Sequence, residues 1–154
     1  MLRRDYENQT CSIARTLEIV GERWTPLILR DALLGRRRFE DFQRSLGIAR
    51  NVLSDRLARL VEAGILERRP YQRRPERFEY VLTDKGRELR VAVIALMNWG
   101  DRHLAPGGPP RLVEHTGCGG AATAKLVCSD CGAELGPSDV TVRPGPGLTA
   151  AAAA

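Results

Sequence analysis

Four glycines, Gly21, Gly35, Gly47 and Gly64, cut the opening stretch of this 154-residue chain into pieces of helix length. Each piece carries apolar residues at helical spacing and then meets its glycine, the residue that most readily ends a helix. Ser12 is placed to cap a first helix with Ile13, Leu17 and Val20 on one face, and Thr25 with Pro26 reads as the cap and first-turn proline of a second. Phe39, Phe42 and Leu46 form the stripe of a short third helix. Residues 50–63 form a fourth, with Leu53, Leu57, Leu60 and Val61 turned inward. Beyond Gly64 the period changes. Residues 65–69 and 77–82 read as two strands around a polar loop, 70–76, that holds two prolines and the Arg73-Arg74 pair. Thr83 is placed to cap a last long helix reaching about Trp99.

Several classes of protein are excluded early. The longest apolar run, Val91 to Met97, is far short of the ~18 residues that a membrane-crossing helix needs. The N-terminus is charged and lacks the apolar centre of an export signal, so a cytoplasmic protein with no membrane partner is expected. With 43% hydrophobic and 28% charged residues, the composition is that of an ordinary globular protein. Its charge is uneven: residues 1–103 hold 21 Lys/Arg against 15 Asp/Glu, and residues 104–154 hold 3 against 4. All the cations but Lys85 and Lys125 are arginines, the cation suited to planar contacts with phosphates and guanine edges. A merely solvated arginine surface is the bland alternative.

A short helix, a glycine turn and a longer helix make a helix-turn-helix, and the hairpin after it makes that a winged helix. The expected class is therefore α+β, mostly α: a winged helix-turn-helix with a small C-terminal zinc-ribbon-like extension. At ~100° per residue, the inward leucines leave Asn51 opposite them, with Ser54 and Arg59 on the flanks and Arg50 in the first turn. Arg50, Asn51, Ser54 and Arg59 are the candidates on the recognition helix; asparagine suits adenine, and arginine suits guanine or phosphate. Arg73 and Arg74 at the wing tip, with Arg77 at the strand start, suit a neighbouring minor groove or its phosphates. Arg36, Arg37 and Arg38, ahead of the short helix, are placed to grip the backbone.

The order of motifs also resembles a known family. Cys11-Ser-Ile-Ala-Arg-Thr-Leu-Glu-Ile-Val-Gly-Glu-Arg-Trp-Thr, then Gly35-Arg-Arg-Arg-Phe-Glu-Asp-Phe, Val52-Leu53-Ser54-Asp55-Arg56-Leu57 and Glu79-Tyr-Val-Leu-Thr-Asp-Lys-Gly-Arg are similar to HxlR-type winged-helix transcriptional regulators. The similarity runs over about residues 8–103. It implies a homodimeric bacterial repressor or activator, paired through first and last helices, on a pseudo-palindromic operator of double-stranded DNA. Ile13, Leu17, Val91, Ile94, Ala95 and Trp99 would line the pairing face. The final helix, apolar nearly all round, asks for such cover independently; the C-terminal appendage folding back over it is the alternative. Cys11 stands where the family often carries a cysteine that in some members senses oxidants. A small residue buried at a helix start is the favoured reading of it.

Residues 104–111 are a Pro/Gly linker, and 112–140 form a small Cys/His module. His115 and Cys118, then Cys128 and Cys131, form two pairs, each with two residues between its members, enough for the tetrahedral demand of one structural zinc. A Cys128–Cys131 redox pair or free thiols are the alternatives. Residues 141–154 are Pro/Gly/Ala-rich and are expected to be disordered. No organic cofactor is expected, and an effector is left unassigned. A thiol or zinc enzyme is disfavoured: two histidines, no glycine-rich phosphate loop and no paired-carboxylate motif leave little to build an active site from. Use of the winged helix or the Cys module to bind protein is the remaining rival.

Overall fold

The computed structural model describes Tyr6 and residues 9–151, and it divides into two compact units, one ending at Arg90 and one starting at Val91. The first unit is built from α1 (Ser12–Val20), α2 (Thr25–Leu33), α3 (Phe39–Leu46), α4 (Arg50–Glu62), β1 (Leu66–Arg73), β2 (Glu76–Leu82) and α5 (Asp84–Glu88). The second holds α6 (Arg90–Leu104), which begins at the boundary, and α7 (Pro146–Ala151).

The core of the first unit is gathered from α2, α3, α4 and the hairpin. Ile28 and Leu29 of α2, Phe42 of α3, Leu53, Leu57 and Leu60 of α4, and Leu66 and Leu82 of the hairpin are buried. The i, i+4, i+7 spacing of the α4 leucines sets one stripe inward, as the periodicity requires. Between α3 and α4, Gly47 takes φ +61, a left-handed conformation that costs a residue with a Cβ about 1 kcal/mol or more. Ile48 follows it directly into the core. That sequence of events makes the tight corner of the helix-turn-helix.

β1 and β2 pair antiparallel from Leu66↔Leu82 to Arg73↔Glu76, with a register shift between Pro70 and Gln72. The segment before α3 joins them: the Tyr80 amide donates to the Arg37 carbonyl at 2.7 Å, and Arg38 bridges Glu79. The arginine run is thus a third, one-bridge edge to the wing. It ties the helix-turn-helix to the hairpin.

Several local expectations are corrected. Cys11 and Trp24, not Ser12 and Thr25, occupy the N-cap positions of α1 and α2, which puts Pro26 in the first turn of α2 one place later than expected. The region expected as a loop, 70–76, is mostly strand, and the reversal is confined to Arg74-Pro75. Pro75 stands in the reversal itself, and Pro70 lies on the outer strand β1 beside the register shift, where a missing N–H is tolerated. The single last helix is two, separated at Leu89, and the second runs to Leu104. Within the tail expected to lack structure, Pro146–Ala151 form a short helix.

The second unit is built differently. From Val91 to Leu148 no described residue is buried, and Val91, Leu96, Trp99 and Leu104 on α6 are all exposed. Two small antiparallel bridges, Glu114↔Ala121 and Val127↔Glu134, give the segment after α6 its regular structure. The Ala124 amide donates to Asn98 Oδ1 at 2.8 Å, fastening that segment to α6. Among the described residues no helix is long and apolar enough to cross a membrane.

Candidate nucleic-acid interface

Burial of the leucine stripe dictates what α4 offers to solvent. With Leu53, Leu57 and Leu60 at 0, 0 and 1% exposure, Arg50, Asn51, Ser54 and Arg59 come out exposed. Arg50 opens the helix. Its N-cap, Ala49, has no side chain to satisfy the first amides, so these stay available to an anion. The Arg50 guanidinium lies 4.8 Å above the Phe39 ring, which holds a long side chain at the head of the helix. Arg59 is differently placed: its Nε pairs with Asp55 Oδ2 at 3.3 Å, one turn back, so part of its charge is already answered within the helix.

The wing supplies a second cationic edge. Arg73, Arg74 and Arg77 are all exposed at and beside the reversal. Between α4 and the hairpin lies an open groove of about 420 Å³, lined by Ser54, Ala58, Val61, Glu62, Arg68 and Tyr80. Arg68 was not among the residues singled out from sequence; its guanidinium stacks 3.4 Å from the centre of the Phe78 ring and borders the same groove as Ser54. A strand arginine next to a charged neighbour gives no sequence signal of this, because the stacking follows from β pairing that brings Phe78 opposite Pro70.

The three arginines before α3 have separate fates. Arg36 turns back, its Nη1 3.4 Å from Oδ1 of the fully buried Asp31, which Arg30 also engages through Nε at 3.0 Å and Nη2 at 2.8 Å. Arg38 stacks 4.6 Å over the Tyr71 ring. Arg37 is exposed, with its carbonyl spent on the wing. Arg36 is thus tied to the core, while Arg37 and Arg38 remain at the surface.

The other sites expected from sequence fall elsewhere. Ile13, Val91, Ala95 and Trp99 are exposed, Leu17 is 39% exposed and Ile94 is half-buried, so α1 and α6 each carry uncovered apolar side chains. Cys11, expected to be buried, is instead exposed at the N-cap of α1, and the amides of Ala14 and Ile13 hold its thiol below the ordinary value. In the second unit, His115 Nδ1 and Cys118 Sγ are 3.2 Å apart. The Cys128 thiol is also lowered, first by the backbone amides of Cys131 and Asp130 and then by the Cys131 side chain. The His115–Cys118 pair is thus in contact, while among the described residues no three His, Cys, Asp or Glu side chains are grouped around one point.

This geometry has close counterparts. The family described as HxlR-like helix-turn-helix matches residues 19–107. The uncharacterised HTH-type transcriptional regulator Rv3095 of Mycobacterium tuberculosis is 51% identical over 140 residues, covering 90% of this chain and 89% of its own length. Among solved structures, PA1607, a proposed transcription factor, superposes with a TM-score of 0.80 at 34% identity, covering 91% of this chain and 99% of its own. The redox regulator HypR in its reduced form gives 0.57 at 30% identity, covering 60% of this chain and 92% of its own.

Proposed function

The chain belongs to the HxlR-like helix-turn-helix family and is a transcriptional regulator, not an enzyme, and from this we propose that it works as a homodimer that reads a two-fold symmetric site on duplex DNA. In this reading α4 enters the major groove, led by Arg50, Asn51 and Ser54. The Arg73-Arg74 tip and Arg77 reach the adjacent minor groove or its phosphates. Arg37 and Arg38 contact the backbone alongside, and the second unit is a ribbon-like extension of the winged helix. The observation that carries the reading is the exposure of Arg50, Asn51 and Ser54 on a helix whose leucine stripe is wholly buried. A helix seated this firmly can present base-reading groups without rearranging.

Dimerisation is supported by α1 and α6, each of which leaves apolar side chains in water. A C2 partner covers both with the same surface of a second copy. The experiment is binding of the purified chain to a pool of genomic duplex fragments across a salt series. Six or more phosphate contacts predict a loss of about a thousandfold between about 50 and 200 mM salt, with a few fragments retained best. Equal binding at both salts, or no fragment preferred, would falsify the proposal.

A further inference from the structure

The two Cys/His turns of the second unit are built alike. The first begins at His115, whose amide donates to the Gly120 carbonyl at 2.8 Å; the second begins at Cys128, whose amide donates to the Ala133 carbonyl at 2.9 Å. Four residues into each turn stands a glycine, Gly119 and Gly132, with φ +72 in both. Each glycine returns its amide to the first residue's carbonyl, at 2.8 and 3.0 Å. Outside each turn the strands are joined by one bridge, Glu114↔Ala121 and Val127↔Glu134. His115 and Cys118 therefore occupy in one turn the positions that Cys128 and Cys131 occupy in the other. Backbone repetition of this kind is not required by the hydrophobic effect here, because nothing between Val91 and Leu148 is buried.

We propose that these two turns are the halves of a single structural Zn²⁺ site, with the imidazole of His115 and the thiolates of Cys118, Cys128 and Cys131 as its ligands. The donor set is three sulfurs and one nitrogen, which matches the borderline-soft, tetrahedral preference of zinc and leaves no open position for substrate. The two turns share one backbone form, with His115 and Cys118 in contact in the first, and three such groups are not brought together among the described residues. The metal supplies the joining step, as expected for a small segment whose folding free energy is largely its metal-binding free energy. Leu126 and Val127, on the approach to the second turn, are exposed and offer no core to do this instead. Asn98 carries the consequence to α6: its Oδ1 accepts from the Ala124 amide between the two turns, so a stapled module stiffens the middle of that helix.

The test is metal analysis of the full chain, expressed with zinc in the medium and desalted. The unaltered chain should carry about one zinc, and the Cys128→Ser/Cys131→Ser variant less than ~0.2. A chain stripped by chelator and titrated with Co²⁺ should show the intense visible bands of tetrahedral thiolate coordination; this arm does not depend on any variant folding. In hydrogen exchange, amides of residues 112–140 and of α6 around Asn98 should slow when Zn²⁺ is restored. Zinc below ~0.2 per unaltered chain overturns the proposal. Equal zinc in the cysteine variant, or a Cys128–Cys131 disulfide in freshly reduced and desalted protein, does the same.

Discussion

Thr83 shows how much one hydroxyl can hold. Its Oγ1 accepts from the Gly86 amide at 3.1 Å, capping α5, and donates to the Gly64 carbonyl at 2.7 Å, at the point where α4 gives way to the hairpin. Thr83→Val keeps the shape and removes both bonds. It should lower the stability of the first unit by about 1–2 kcal/mol, read as an earlier urea midpoint with an unchanged slope. An unmoved midpoint would show that the cap carries no weight. At this scale the sequence was partly transparent. Thr83 as a cap was legible because a threonine directly before a polar first turn has few other uses, and the α4 leucines were legible from spacing alone. Asp31 was not. An aspartate in an Arg-Asp pair reads as surface, and only the fold shows it fully buried, holding Arg30 and Arg36. The stacking of Arg50 on Phe39 and of Arg38 on Tyr71 was equally hidden, since neither pair follows a local spacing rule.

The two elements that face DNA in the proposed complex have different chemistry, and their variants should part accordingly. Arg73 and Arg74 sit at an exposed reversal, where arginine meets phosphates whatever the bases are. Arg73→Ala/Arg74→Ala removes four arginines from the proposed dimer, so it should weaken binding to every duplex and reduce the salt slope by about 4. Asn51 stands on the outward face of α4, where its amide suits an adenine edge. Asn51→Ala should cost about 1–3 kcal/mol per half-site on the preferred duplex and little on others, changing the ranking in a competition assay. Identical profiles for both variants would contradict this division of labour. The helices were legible because each glycine marks a stop. The hairpin was legible in kind but not in length: Pro70 and Pro75 suggested a long loop, whereas the free edges of a two-stranded sheet tolerate a proline that a central strand would not. The break at Leu89 had no signal, because Arg90 continues the helical pattern.

The molecule as a whole is one unit with a core and one without. The first unit buries aromatic and aliphatic side chains from α2, α3, α4 and the hairpin. The second relies on α6, two glycine turns and the Asn98 tie, and none of its apolar side chains from Val91 to Leu148 is buried. The even apolar pattern of Val91 to Met97 foretold that α6 would be short of cover. It could not reveal that the division between the units falls at the start of that helix, a property of long-range contacts. In the proposed homodimer a second copy covers exposed apolar side chains and supplies a second recognition helix. Hydroxyl-radical footprinting of the purified chain on its best-bound genomic fragment tests that claim most directly. The account predicts two protected patches related by a two-fold axis, their centres about 34 Å or one helical turn apart. One patch with no symmetric mate would contradict it.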